Sequence, residues 1–383
     1  MSNENAVSLL RTESYDPDVM RAAVDRHFAA LGLDETIKPE TRVMIKPNLL
    51  MKAPPDAAIT THPELVAAII DKLQALGVRN IVIAESPGGA YSRPLLGAIY
   101  GACGYRRFES LDGVTLNYDT SSKRTAFPRG GTVREFELIS PVFDADFIIS
   151  AAKLKTHAHT GFSGAVKNLF GTVPGLMKPE FHFRLQTREP FCDMLVDLCE
   201  CVKPSLSIVD AVWSMEGDGP SGGDKKYTGF TAASLNPYYC DLALCGAMGF
   251  APEESGTVTA SIKRGLCPDS VDKLELIGDT ELIGAYSFTR PKSADLNFTG
   301  RFPPVAAPLI EKAERTVLSP RPHVKRRMCV GCGKCAESCP AKAITISKRR
   351  ASIDYSRCIH CFCCQEMCPI RAIVIRRLSI LKL

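Results

Sequence analysis

Residues 153–171, KLKTHAHTGFSGAVKNLFG, set Lys153, Lys155, His157 and His159 at every second position. In an extended segment alternate side chains leave one face, so these four would project together. Lysines in such a row supply charge for an anion such as a carboxylate or phosphate, and a histidine moves protons near neutral pH. The chain continues into GFSGAVKNLFGTVPGLMKPEFHF, which adds Lys167, Asn168, Lys178 and His182. Glycines at 161, 164, 171 and 175 let the backbone turn tightly or approach a ligand closely. The expectation is a pocket for a small anionic substrate, with Lys153, Lys155, His157, Lys167, Asn168 and His182 as its catalytic set. A surface loop that binds nothing is the bland alternative. A metal held by the histidines with Glu85, Asp210 or Glu216 is a further one, although no fixed spacing such as H-E-x-x-H supports it.

A second constellation lies near the C-terminal end. CVGCGKCAESCP places Cys329, Cys332, Cys335 and Cys339 at C-x2-C-x2-C-x3-C-P, and CIHCFCCQEMCP repeats that spacing with Cys358, Cys361, Cys364 and Cys368. Three closely spaced thiolates wrap one iron–sulfur cubane, and the fourth of each run reaches the other cubane, as in two-cluster bacterial ferredoxins. One 4Fe–4S cluster is therefore expected on Cys329, Cys332, Cys335 and Cys368, and a second on Cys358, Cys361, Cys364 and Cys339. Zinc fits less well, because tetrahedral zinc takes separated C-x2-C pairs. CPAKAITI (339–346) and CPIRAIVI (368–375) extend the repeat into a short helix and strand. Cys363 is one more than the pattern needs and reads as a bystander.

The elements that must position these residues alternate strand and helix. A strand over 41–48 ends at Lys46, Pro47 and Asn48. A helix over 61–77 takes Thr61 as its N-cap and stops at Gly77. A buried strand over 80–85 runs into the Gly-rich turn SPGG, and a helix fits 93–104. Further strands fit 146–155, 205–213 and 273–278, with helices at 189–202 and 236–249. The pattern predicts an α/β fold, a largely parallel sheet with flanking helices over 1–286, followed by a small α+β ferredoxin-like domain over 323–383. The segment 287–322, with its many prolines and one possible helix at 307–317, reads as a semi-rigid linker.

Ligands in open α/β sheets sit beyond the carboxyl ends of the strands. Four such ends converge here, carrying Lys46 and Asn48, Glu85 and Ser86, the Lys/His row, and Asp210 with Glu216 beyond it. Lys46, Asn48, Glu85, Ser86, Asp210 and Glu216 form the expected substrate-binding set. SPGGAYSRP lacks the G-x-x-x-x-G-K-[ST] and G-x-G-x-x-G patterns, so nucleotide binding gains little support.

Composition sets the frame for these sites. The 383 residues are 45% hydrophobic and 23% charged, ordinary for a folded domain pair. The first residues lack the pattern of a signal peptide, and no apolar run approaches a membrane span. A cytoplasmic protein with no membrane partner is expected, and sixteen cysteines then point to metal or redox chemistry over disulfides. Net charge is only +5, but basic residues crowd the segment after 323. They offset the negative charge of thiolate-bound clusters and suit an acidic electron donor. Nucleic acid is not expected as a partner, since no recognition motif accompanies the charge.

IKPN (45–48), AESPGG (84–89), KLKTH (153–157), VKNLFG (166–171) and VDAVWSMEGDGP (209–220) resemble the bacterial and archaeal family called domain of unknown function 362. Its members often carry a C-terminal two-cluster ferredoxin and are common in anaerobes. The resemblance implies an iron–sulfur protein and groups Lys46, Asn48, Glu85, Lys153, Lys155, His157, Lys167, Asn168 and Asp210 in one site, without naming a substrate. The functional expectation is a ferredoxin-coupled oxidoreductase that exchanges electrons with a ferredoxin- or flavodoxin-type protein. Its alternatives are a non-catalytic electron-transfer subunit that docks a partner enzyme, and a factor that assembles or activates a metal or cluster.

Overall fold

The computed structural model describes residues 4–293 and 320–376. The N-terminal part contains strands β1 (Ala6–Arg11), β2 (Val43–Pro47), β3 (Ile81–Ile83), β4 (Val114–Leu116), β5 (Ser122–Ala126), β6 (Glu135–Ile139), β7 (Phe147–His157), β8 (Gly161–Ser163), β9 (Leu206–Glu216), β10 (Asp224–Ser234) and β11 (Glu275–Gly278). Nine of them form one sheet in the order β11-β1-β10-β9-β7-β2-β3-β4, with β8 paired to β7. The β9-β7-β2-β3-β4 run and the β1–β11 pair are parallel. β10 lies antiparallel between β1 and β9, and β8 turns back antiparallel on β7. β5 and β6 make a separate hairpin.

The parallel run follows from local sequence. Helix Pro63–Ala75 carries β2 to β3 and helix Arg93–Ala102 carries β3 to β4, the crossover that parallel neighbours require. Both faces of the sheet are buried. Within β2, Val43 and Ile45 enter one core while Met44, pointing the other way, enters a second. Helices Pro17–Ala30, Pro63–Ala75 and Arg93–Ala102 cover the first face; Arg188–Val202 and Pro237–Met248 cover the second. The N-cap of helix Pro63–Ala75 is His62, whose Nδ1 accepts from Glu64 N at 3.2 Å. Thr61, expected in that role, is tied elsewhere: its hydroxyl donates to Ala151 O at 2.7 Å and accepts from Asn48 N at 2.9 Å. It thereby pins the end of β2 to β7.

In the C-terminal part, strand Arg321–Val324 pairs antiparallel with Ile373–Arg376, and Ile344–Ser347 pairs with Arg350–Ile353. One-turn helices Lys334–Glu337 and Cys363–Glu366 lie within the two cysteine runs, between their first and last cysteines. The described start of the Pro-rich stretch packs on the α/β domain. Phe288 and Ser293 are buried, and Arg290 pairs with Glu254 at 2.8 Å. The possible helix at 307–317 lies outside the described residues.

The small domain sits against the carboxyl ends of the parallel strands. Gln365 Nε2 donates to Asp218 O at 2.7 Å, Ser221 Oγ to Glu366 O at 2.7 Å, and Arg371 to Gly223 O at 3.2 Å. Phe362 and Ile375 pack with Ala158. Phe362 holds φ at +61°, an unfavourable region for a side chain of its size, and this packing offsets the strain. Gly88 and Gly222 let the backbones approach closely: a Cβ would lie 2.5 Å from Met367 Sδ at the first and 2.5 Å from Gln365 Nε2 at the second.

Candidate functional site

A cavity of about 80 Å³ opens where the two domains meet. The α/β domain contributes Asn48, Glu85, Ser86, Lys167, Asn168, Lys178 and His182 to its lining, together with the SPGG turn. The small domain contributes Ser338, Cys363, Glu366 and Met367.

The residues at its base form a buried polar network. Lys46 Nζ donates to Glu85 Oε2 at 2.6 Å, to Pro47 O at 2.7 Å and to Asn168 Oδ1 at 3.3 Å. Asn168 Nδ2 donates back to Lys46 O and Ser150 Oγ. Asn48 Nδ2 also reaches Asn168 Oδ1 at 3.3 Å, while its Oδ1 accepts from Lys155 Nζ at 2.8 Å. Gly171 passes so close that a Cβ would fall 1.8 Å from Glu85 Oε1. Only glycine fits there. Its carbonyl accepts from Ser86 N, which fixes the SPGG turn.

The row predicted on one strand is real but divides among separate partners. Lys153, Lys155 and His157 all lie on β7 and are buried; His159 falls past its end. Lys153 Nζ meets Asp210 Oδ2 at 2.9 Å and Tyr15 OH at 2.8 Å. Tyr15 OH closes the triangle on Asp210 Oδ1 at 2.7 Å and its ring stacks on His62 at 3.6 Å. This pair stands away from the cavity lining, as does Glu216, which holds Lys226 at 3.0 Å. Lys155 Nζ is spent on Asn48 and on Ile59 O at 2.6 Å. His157 reaches the small domain: its Nε2 contacts Glu366 Oε1 at 2.5 Å.

The carboxylates that the sequence offers as metal partners for the histidines are thus each engaged with a lysine: Glu85 with Lys46, Asp210 with Lys153, Glu216 with Lys226. The acid near the histidines is Glu366. Cys363, which reads as surplus from its spacing, points into the same cavity.

Protonation follows from burial. His157 Nδ1 accepts from the backbone N–H groups of His159 and Thr160, so Nε2 carries the proton and donates to Glu366. Burial, with repulsion from Lys167, lowers His157 to about 4 and keeps it neutral. Burial opposes the Glu366 carboxylate, yet the hydrogen bond from His157 and the charge of Lys167 hold it below the usual range. Burial lowers His182 to about 3 and brings Lys155 and Lys178 each to about 7. Lys178 Nζ donates to Ser86 O at 2.7 Å. Lys167 is also lowered by burial, against the attraction of Glu366. Among the described residues its ammonium makes no hydrogen bond and lies 6.0 Å from the centre of the Phe170 ring. Among the described residues of the lining it is the cation free to meet an anion in the cavity.

The thiols of the small domain fall into two groups. A hollow is lined by Cys329, Cys332, Cys335 and Cys368, joining the first run to the last cysteine of the second. Burial raises Cys335 to about 11, with Cys368, Cys329 and Cys332 adding to it. Burial also raises Cys358, with Cys361 and Cys339 beside it. Backbone N–H groups of Ala351, Ala372 and Ala343 donate to the sulfurs of Cys329, Cys368 and Cys339 at 3.1–3.3 Å. Sulfur sets poised this way suit cluster thiolates, whose charge such donors stabilise. Of the remaining cysteines, Cys103, Cys192, Cys199, Cys240, Cys245 and Cys267 are buried free thiols and Cys201 is half-buried.

The ferredoxin-side wall of the cavity is what sequence reasoning missed. Its one signal was Cys363 itself, the cysteine without a place in the pattern.

Comparison with known proteins agrees with this architecture. The family described as Domain of unknown function (DUF362) matches residues 43–246, and a 4Fe-4S dicluster domain matches 328–372. The curated "Thylakoid-associated protein sll1697" of Synechocystis sp. is 31% identical over 270 residues, 70% of this chain and 82% of that one. Among solved structures, the lactate racemase apoprotein from Thermoanaerobacterium thermosaccharolyticum aligns with a TM-score of 0.42 at 15% identity, over 66% of this chain and 59% of that one. Among the described residues no helix is long and apolar enough to cross a membrane. The chain belongs to the DUF362 family and carries a 4Fe–4S ferredoxin-type domain after its α/β domain.

Proposed function

We propose that this protein carries electrons through two 4Fe–4S clusters to or from a small anionic substrate held in the interdomain cavity. One observation carries the reading: Lys167, Lys178 and Asn48 line the same cavity as Cys363 and Ser338. Cys363 lies between Cys361 and Cys364, and Ser338 precedes Cys339, so the residues flanking three ligands of one expected cluster wall the binding space. A substrate there is next to its electron source.

Lys167 binds the anionic group, with Lys178 and the SPGG turn behind it. Because burial disfavours its charge, Lys167 is also placed to give its proton to the substrate as that substrate gains an electron. His157 orients Glu366. Lys46, Glu85, Asn168 and Lys155 hold the floor rigid, and Lys153 with Asp210 braces the next strand.

The other cluster set faces outward. Val330, Ile346 and Ile370 edge its hollow and are exposed, with Lys325, Arg326, Arg327, Lys348, Arg349 and Arg350 exposed around the same domain. That combination suits an acidic electron-donor protein of ferredoxin or flavodoxin type.

The test is anaerobic purification with iron and sulfide analysis and EPR, followed by oxidation of the reduced protein by a panel of small reducible anions. About eight irons per chain are expected. At least one anion should reoxidise the clusters, and Lys167→Met should slow that step with the EPR unchanged. Equal reoxidation by the variant, or zinc in place of iron, would overturn the proposal.

A further inference from the structure

Cys363, Glu366 and His182 meet in the cavity with one ligand atom each, and these atoms lie within 4.8 Å of one another. We infer that they form a mononuclear site for a divalent transition-metal ion of borderline softness, such as zinc, placed between the two domains. The inference goes beyond electron transfer and does not require it.

The donor set is one thiolate, one imidazole and one carboxylate, a mixture that borderline ions take and that magnesium or calcium does not. Cys363 and Glu366 are three apart on one helical turn, so both side chains leave the same face. His182 comes from helix Met177–Arg184 of the other domain. Donor atoms around a tetrahedral ion stand roughly 3.3–3.8 Å apart, so the three need close by only about 1 Å.

Two further observations point to a ligand. His182 Nδ1 is buried with no hydrogen-bond partner, an arrangement rare for a polar atom that nothing visits. Glu366 is oriented by His157 Nε2, the kind of outer hydrogen bond that fixes a ligating carboxylate. Packing by Phe191, stacked on the His182 ring at 4.2 Å, holds the imidazole in place. With three protein ligands the ion keeps an open position facing the cavity, where Lys167 offsets the charge of a bound anion. On binding, the Cys363 thiol gives its proton to solvent and no other bond changes.

This assignment gives the surplus cysteine a role distinct from the clusters. Cys363 stands two residues from Cys361 and next to Cys364, so the competing identity is an alternative cluster ligand.

The experiment uses the full chain with clusters reconstituted anaerobically, zinc as the probe, a chelator competition and X-ray absorption at the zinc edge. Wild type should hold about one zinc per chain with a sulfur shell near 2.3 Å and about eight irons unchanged. Cys363→Ser and His182→Ala should each weaken zinc by about a hundredfold or more, and His157→Gln by roughly tenfold to a hundredfold. Iron content and EPR should stay as in wild type. Unaltered zinc affinity in Cys363→Ser, a zinc shell of four sulfurs, or loss of iron in that variant would overturn the site. None of these readouts depends on turnover, so failure here and failure of the electron-transfer reading are told apart.

Discussion

Substituting Glu85→Gln removes a charge and little else. The amide keeps the shape and can still accept from Lys46 and from Leu49 N, which Glu85 Oε2 takes at 3.1 Å. What it leaves is an ammonium whose side chain is 0% exposed and whose counter-charge is gone. Breaking a buried pair from one side costs about 3–5 kcal/mol. Lys46 has an escape, which is to lose its proton. From its ordinary 10.5, neutralisation at pH 7 costs about 5 kcal/mol, at about 1.4 kcal/mol per pH unit, so this route caps the deficit. The cap falls to about 2 kcal/mol at pH 9. The signs agree: a lysine depressed in the folded state binds fewer protons there than in the unfolded chain, so the variant gains stability relative to wild type as pH rises. Thermal unfolding and urea midpoints of the anaerobic, cluster-loaded protein should therefore show a deficit that shrinks between pH 7 and 9. At pH 7 the midpoint should fall by roughly 5–8 °C. A packing defect would be insensitive to pH. A deficit that stays flat over that interval, or one below about 1 kcal/mol at pH 7, would refute the reasoning.

Gly88→Val should push Met367 and its helix away, since a Cβ alone would lie 2.5 Å from that sulfur. Stopped-flow reoxidation by substrate should slow by roughly tenfold to a hundredfold while the EPR stays that of wild type. Cys332→Ser should cut iron from about eight to about four per chain, read by colorimetric analysis, because its expected partners hold only one of the cubanes. Acid should loosen the fold as well. His157 and His182 are lowered to about 4 and about 3, so unfolded chains take up their protons first. Stability should be full above about pH 6.5 and decline below it, and urea midpoints followed anaerobically from pH 7.5 to 5.5 would register that slope.

How much of this was legible depended on whether the information was local. Period-two alternation placed Lys153, Lys155 and His157 on one strand, and strand–helix alternation over 41–104 gave the parallel run, because each signal is carried within a few turns of chain. The cysteine spacing was legible for the same reason. The antiparallel insertion of β10 between β1 and β9 was not, since β1 finds its partner more than two hundred positions away and no local pattern records it. The site divides along the same line. That Lys46, Asn48 and Glu85 meet follows from strand ends that converge, and Asn168 joins them from the short helix Ala165–Asn168. That Lys153 closes on Asp210 and Tyr15, away from the cavity, depends on register. That His157 meets an acid 209 residues later depends on domain docking, and no property of KLKTH announces it.

The duplicated half-domains carry one last consequence. Lys334 and Glu337 occupy in the first repeat the positions that Cys363 and Glu366 occupy in the second. The first pair bond each other at 3.0 Å in open water, their side chains 45% and 35% exposed, whereas Cys363 is 4% exposed. A conduit with two like ends has no inherent polarity and would fit its socket either way round. Here one difference on a single helical turn, Cys363 where the first repeat has Lys334 beside a glutamate common to both, makes the ends unlike, and in the proposed circuit that residue marks which end meets the cavity.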